Sequence, residues 1–301
     1  MTKRDLLTVT DLGPDEVRAI LALAVREPAS LGRPMAGLGA ALIFEKPSNR
    51  TRQSMEIAVS QLGGHPVYTR GEEIQFDVRE PVEDVGRTLS GYHGLVCARV
   101  FRHSVVERLA ASCSVPVVNM LSDVSHPMQA LADVLTMTQV HGALAGATVA
   151  WVGDYNNVAR SLGEVCVMLG ARVHYSSPVG YGPVDGELAR LSALGAGNVE
   201  FFDEPSDAVV GAIAVHTDTW TSMGQEAEKA ARVEAFRGFG VSAALMSRAA
   251  AGAGFYHCMP AYRGYEVEAE VIDSPASHVI AQGHNRLHSS RALRAFLLGV
   301  R

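Results

Sequence analysis

Residues 40–59 read AALIFEKPSNRTRQSMEIAV, and this stretch decides the fold class. Residues 40–44 form an unbroken apolar run, the length of a strand covered on both faces. Pro47 and Ser48 interrupt it. From there the inward-facing side chains recur at helical spacing, through Thr51, Met55, Ala58, Val59 and Leu62. Strand, short turn, helix is the repeating unit of a parallel sheet. The alternation continues outward from this unit. Strands are expected at 66–69, 95–99 and 115–119. A helix carries Val82, Val85 and Leu89 behind Pro81, and an opening helix starts at Pro14. Residues 126–140 read as one long helix, after which Gly142 and Gly146 punctuate the chain. A second series then places strands at 148–152, 172–175, 213–216 and 254–258, with an amphipathic helix at 285–298. The expectation is an α/β protein of two domains, each a mainly parallel sheet flanked by helices, divided close to the long helix.

Bulk properties narrow the function. The 301 residues are 48% hydrophobic and 19% charged, as in a folded globular chain. A net charge of −6 argues against a nucleic-acid partner, which requires a basic surface. An anionic substrate must therefore meet positive groups gathered locally. No run of eighteen apolar residues occurs, so no membrane partner is expected. The first residues lack the apolar core of a signal peptide, and a cytoplasmic protein is expected. Cys97, Cys113, Cys166 and Cys258 are widely spaced and form no CxxC pair, which reads as reduced thiols and no metal site.

The turn Glu45-Lys46-Pro47-Ser48-Asn49-Arg50-Thr51-Arg52 runs from the end of a strand into the start of a helix. Free N–H groups and the dipole at a helix start attract anions. Ser48 and Thr51 add hydroxyls, and Arg50 adds a guanidinium fork matched to phosphate. Read alone, the segment fits a capped helix with solvated arginines equally well. Its place at the carboxyl end of a strand, where open α/β sheets bind ligands, favours phosphate. Arg99 ends another strand at that same edge, and His126 and Gln129 share one face at the start of the long helix.

Together these segments resemble the aspartate/ornithine carbamoyltransferase family. Residues 48–52 match its S-T-R-T-R, and His126-Pro127-Met128-Gln129 matches its H-P-x-Q. Asp218-Thr219-Trp220-Thr221-Ser222-Met223-Gly224 and His257-Cys258-Met259-Pro260 match the family's ornithine branch, as do residues 153–157 and 285–288. The motifs follow the family's order over essentially the whole chain. Departures are Asn49 for the usual Thr, Met259 for the usual Leu, and Tyr262 and Tyr265 where His and Glu are common. Residues 70–77 match poorly.

The resemblance implies a carbamoyl-phosphate domain, 1–125 completed by the helix at 285–301, and an ornithine domain, 126–284. It implies transfer of a carbamoyl group from carbamoyl phosphate to L-ornithine in arginine metabolism, with no cofactor, by a homotrimer or a multiple of trimers. Ser48, Asn49, Arg50 and Thr51 are expected on the phosphate, with Gln75 reaching that of a neighbouring subunit. Arg99, His126 and Thr51 are expected at the carbamoyl oxygen, Gln129 at the carbamoyl NH2, and Arg286 nearby. Asn157, Asp218, Ser222 and Met223 are expected on the ends of ornithine, with Cys258 and Met259 at its δ-amine. Alternatives are another amine acceptor, such as putrescine or N-acetylornithine, and a non-catalytic relative. A nicotinamide-dependent oxidoreductase is disfavoured: Gly153-Asp154-Tyr155-Asn156-Asn157-Val158 lacks G-x-G-x-x-G, and Asp154 would repel a pyrophosphate.

Overall fold

Nine strands form two sheets in the computed structural model, which describes residues 3–222 and 224–301. The chain divides into two compact units, Met1–Leu135 with His284–Arg301, and Thr136–Gly283.

In the first unit, β1 (Gly39–Phe44), β2 (His65–Arg70), β3 (His93–Arg99) and β4 (Val117–Leu121) are all parallel, in the order β2-β1-β3-β4. β1 and β3 are central and nearly wholly buried, which is why they read as continuous apolar runs. α1 (Pro14–Ala24) precedes the strands, and α2 (Asn49–Gln61), α3 (Val82–Ser90) and α4 (His103–Ser112) connect them in turn. Ile43, Val85, Val96, Val106 and Leu109 share one core. Burial of each such side chain stabilises the fold by about 1.5–3 kcal/mol.

The second unit has five parallel strands: β5 (Thr148–Val152), β6 (Arg172–Ser176), β7 (Asn198–Phe201), β8 (Ala212–Thr217) and β9 (Gly254–His257). Their order is β7-β6-β5-β8-β9. Val152, Val215, Phe255 and Val267 anchor its core. α6 (Asn157–Met168) follows β5 directly, and α7 (Lys229–Ala235) lies after β8.

Two long helices cross the division. The first, α5 (Pro127–His141), gives its opening turns to the first unit, and α8 (Val279–Leu297) gives it everything from His284. α8 starts six residues before the expected 285. Gly283 sits inside the helix where an added Cβ would meet nothing, so glycine costs only about 1 kcal/mol of propensity there. The closing part of α8 is anchored in the first unit by buried arginines. Arg291 donates to Gln61 Oε1 at 2.8 Å, and Arg294, wholly buried, donates to Ser290 O at 2.8 Å and to Met55 Sδ at 2.7 Å. β7 is an addition to the expected strands. Among the described residues no helix is long and apolar enough to cross a membrane.

Each sheet reverses its direction of winding once. In the first, the chain leaves β1 toward β2 and returns to β3 on the other side. In the second, it leaves β5 toward β6 and returns to β8. Loops at the carboxyl ends of two such strands diverge and leave a crevice, the usual ligand position in open α/β sheets.

Candidate active site

Within the first unit, the crevice lies between the ends of β1 and β3, where Phe44 pairs with Arg99. Glu45 N donates to Arg99 O at 2.9 Å and ties the loop after β1 to the end of β3. Ser48 caps α2: its backbone is extended and its Oγ accepts from Thr51 N at 3.4 Å. The same hydroxyl donates to Thr51 Oγ1 at 3.0 Å. Asn49 is exposed and Arg50 half-buried at this helix start, whereas Thr51 is buried. Arg52, next in sequence, is committed elsewhere, to Glu56 at 2.8 Å and to the face of Tyr68.

Arg286 joins the pieces. Its Nη2 donates to Thr51 Oγ1 at 2.9 Å and its Nη1 to Gln129 Oε1. Arg99, His126, Gln129 and Arg286 are all buried. The carbonyl of His126 accepts from Gln129 N at 3.0 Å and Ala130 N at 3.2 Å, so the first turn of α5 fixes the spacing of the two side chains. Burial, and then the charges of Arg286 and Arg99, hold the His126 imidazole well below its ordinary pKa. His126 is therefore a neutral N–H donor beside two fixed cations. Gln75 is exposed, ends the single turn Gly71–Ile74 in a left-handed conformation (φ 51°), and its carbonyl accepts from Val78 N and Arg79 N.

Within the second unit, strand register explains the equivalent crevice. Thr217 of β8 pairs with His257 of β9, so the next residues, Asp218 and Cys258, emerge side by side. The Cys258 thiol donates to Asp218 Oδ1 at 3.1 Å. Asn156 Nδ2, from the loop after β5, donates to Asp218 Oδ2 at 2.9 Å. The carboxylate is thus held from both sides. Asn156 also caps α6 by accepting from Val158 N and Ala159 N, which sets Asn157 as the first helical residue. Sequence reading assigned Asn157 and missed Asn156; an Asn just before an apolar helical run was the available signal, and it pointed only to a cap.

Met259 has a left-handed backbone (φ 60°), and its N–H donates to His257 Nδ1 at 2.8 Å. The ring proton of His257 then lies on Nε2, 3.4 Å from the buried Glu266 carboxylate. Ser222 N donates to Gln225 Oε1 at 3.0 Å. Met223 lies outside the described residues. Asp218, His257 and Cys258 place donor atoms within 4.8 Å of one another, a spacing that a metal ion could span. Their hydrogen bonds already engage the carboxylate, the thiol and the Nδ1 lone pair.

The loop after β5 is unsuited to a pyrophosphate. Asp154 stands there, paired with the buried Arg232 at 3.1 Å. Burial pushes its carboxyl up to about 6, with Arg232 acting in the opposite sense. Arg232 also donates to Trp220 O at 3.1 Å and so braces the segment that follows Asp218. Tyr262 and Tyr265, the two departures noted above, line a cavity of about 160 Å³ together with Thr219, Thr221 and Lys229.

Comparison with known proteins gives one family over both parts of the chain. Residues 4–139 match the family model for the aspartate/ornithine carbamoyltransferase carbamoyl-P binding domain, and residues 145–297 match that for the Asp/Orn binding domain. An ornithine carbamoyltransferase of Thermus thermophilus is 46% identical over 297 residues, covering 98% of this chain and 97% of that one. One from Pyrococcus abyssi is 43% identical over 304 residues, covering 98% and 96%. The solved ornithine carbamoyltransferase of Pyrococcus furiosus superposes with a TM-score of 0.93 at 41% identity, covering 99% of this chain and 98% of that one.

Proposed function

The chain belongs to the aspartate/ornithine carbamoyltransferase family, and from that premise we propose that it transfers the carbamoyl group of carbamoyl phosphate to the δ-amine of L-ornithine, giving L-citrulline and phosphate. The observation that carries the reading is the bonded chain Thr51–Arg286–Gln129 beside Arg99 and a neutral His126, at the helix start that Ser48 caps.

Phosphate is received by the start of α2, through Ser48, Asn49, Arg50 and Thr51. Arg99, His126 and Thr51 polarise the carbamoyl oxygen, where charge builds as the amine adds. Gln129 takes the carbamoyl NH2, with Arg286 alongside. Asp218 pairs with the α-ammonium of ornithine, and Asn157, Ser222 and Met223 orient the α-amino and carboxylate ends. Cys258 and the Met259 carbonyl hold the δ-amine and ease its deprotonation. The amine nitrogen bonds to the carbamoyl carbon and loses a proton; the carbon–oxygen bond to phosphate breaks, and phosphate leaves with the electron pair. No covalent enzyme intermediate is needed. Gln75 is assigned to a neighbouring subunit's phosphate, within a homotrimer of a cytoplasmic protein.

The test offers ornithine, putrescine, N-acetylornithine and aspartate in parallel with carbamoyl phosphate. Strong preference for ornithine is expected. Turnover of another amine instead would overturn the acceptor assignment, and silence with all four would favour a non-catalytic relative.

The pH profile follows from the groups involved. An amine with a pKa of about 10.4 is almost wholly protonated at neutrality, so activity rises from pH 6 toward pH 8 as the free amine grows. His126 contributes nothing to that rise, because its lowered pKa keeps it neutral throughout the window. A flat profile, with the chemical step limiting, would rule out attack by the free amine.

A further inference from the structure

Asp133 stands one helical turn after Gln129 on α5 and is buried. Its Oδ1 accepts a 2.7 Å hydrogen bond from Gln129 Nε2, while Gln129 Oε1 accepts from Arg286 Nη1. A guanidinium only donates and a carboxylate only accepts. Between these two partners the Gln129 amide has one orientation, because the flipped amide would set donor against donor and acceptor against acceptor. We propose that Asp133 is a positioning residue that locks the Gln129 carbonyl oxygen toward the carbamoyl site, so that the site selects an NH2 over a methyl group on the acyl phosphate.

This assignment rests on the reading of Gln129 as the acceptor for the carbamoyl NH2. Its consequence concerns a single substituent. Carbamoyl phosphate and acetyl phosphate share the phosphate and the carbonyl, and differ by NH2 against CH3. A fixed acceptor pairs with the first and is left facing a methyl by the second, and sites built to bond a polar group reject the analogue that lacks it. Without the carboxylate, only Arg286 opposes inversion of the amide, and the inverted amide presents its own NH2 to that of the substrate.

Asp133→Asn keeps the shape but offers Gln129 both a donor and an acceptor, so one of the two partners that fix the amide no longer favours a single orientation. The expected result is a carbamoyl-phosphate KM raised roughly tenfold, in line with the cost of leaving a buried polar group without its partner. Inhibition constants for acetyl phosphate and inorganic phosphate, measured against carbamoyl phosphate, are expected to stay within about threefold, so selectivity for NH2 over CH3 falls about tenfold. Equal losses on all three ligands would make Asp133 a purely structural residue, and an unchanged carbamoyl-phosphate KM would equally overturn the proposal. Thermal unfolding checks that the variant folds; if it does not, Asp133→Ser carries the same comparison. Failure of the wild-type protein to make citrulline overturns the underlying reading of the site. Wild-type turnover with unaltered selectivity in the variant overturns this assignment alone.

Discussion

Replacing Asp218 by asparagine is expected to lower kcat/KM for ornithine by two to three orders of magnitude, with the KM for carbamoyl phosphate little changed. The argument is one of burial. Asp218 is buried at the end of β8, its oxygens held by Asn156 and Cys258. A cationic ligand group that enters such a place loses its hydration and is repaid by the carboxylate. Removing one partner of a buried pair costs about 3–5 kcal/mol, and each 1.4 kcal/mol is about tenfold. Asparagine preserves the volume and still accepts from Asn156, so the fold survives. Steady-state kinetics with saturating carbamoyl phosphate give the answer. A loss under threefold would mean that Asp218 does not meet the ammonium and serves only to organise the ends of β8 and β9.

Arg99→Ala or His126→Ala is expected to reduce kcat on the order of 100- to 1000-fold, the usual consequence of losing one donor to a developing oxyanion. The two residues act differently. Arg99 ends a central strand and is buried, so it presents a fixed charge that needs no rearrangement as the reaction proceeds. His126 is held neutral by burial and by its cationic neighbours, so it contributes a dipole with a donated proton. The loss should therefore be similar at pH 7 and pH 8 for His126→Ala. Turnover within threefold of wild type in single-turnover and steady-state assays would remove either residue from the mechanism.

The fold was legible because strands covered on both faces leave a compositional trace. Residues 149–152 are apolar without interruption and fall within β5. β7 left none: it is an edge strand in which only Val199 is buried, so Asn198–Phe201 looks like a loop. The first turn of α8, residues 279–282, lies ahead of the expected start at 285. For the candidate site, residue types and spacing pointed to Thr51, Arg99, His126 and Gln129, and the family resemblance to Arg286; the first unit holds all five. Spacing says nothing about which way an amide faces or which side of a carboxylate is occupied. Those details rest on Asp133 and Asn156, residues that a linear reading leaves as an ordinary helical acid and a helix cap. Gln75 shows the opposite limit: it is exposed, and the hydrogen bonds described for it are local to its own turn.

The loop brace described above has an optical consequence. Both tryptophans of the chain, Trp151 and Trp220, belong to the unit that carries Asp218. Trp151 is buried in β5 and donates to Asp154 O at 3.0 Å, which ties it to the residue that Arg232 pairs with. Trp220 follows Asp218 by two residues, with its carbonyl held by Arg232 and its ring stacked on Phe236 and edge-on to Tyr265. Tryptophan emission from this protein therefore originates wholly in one half. A shift in it registers rearrangement of the Asp218 segment without any label, while the phosphate cradle, which has no tryptophan, stays dark.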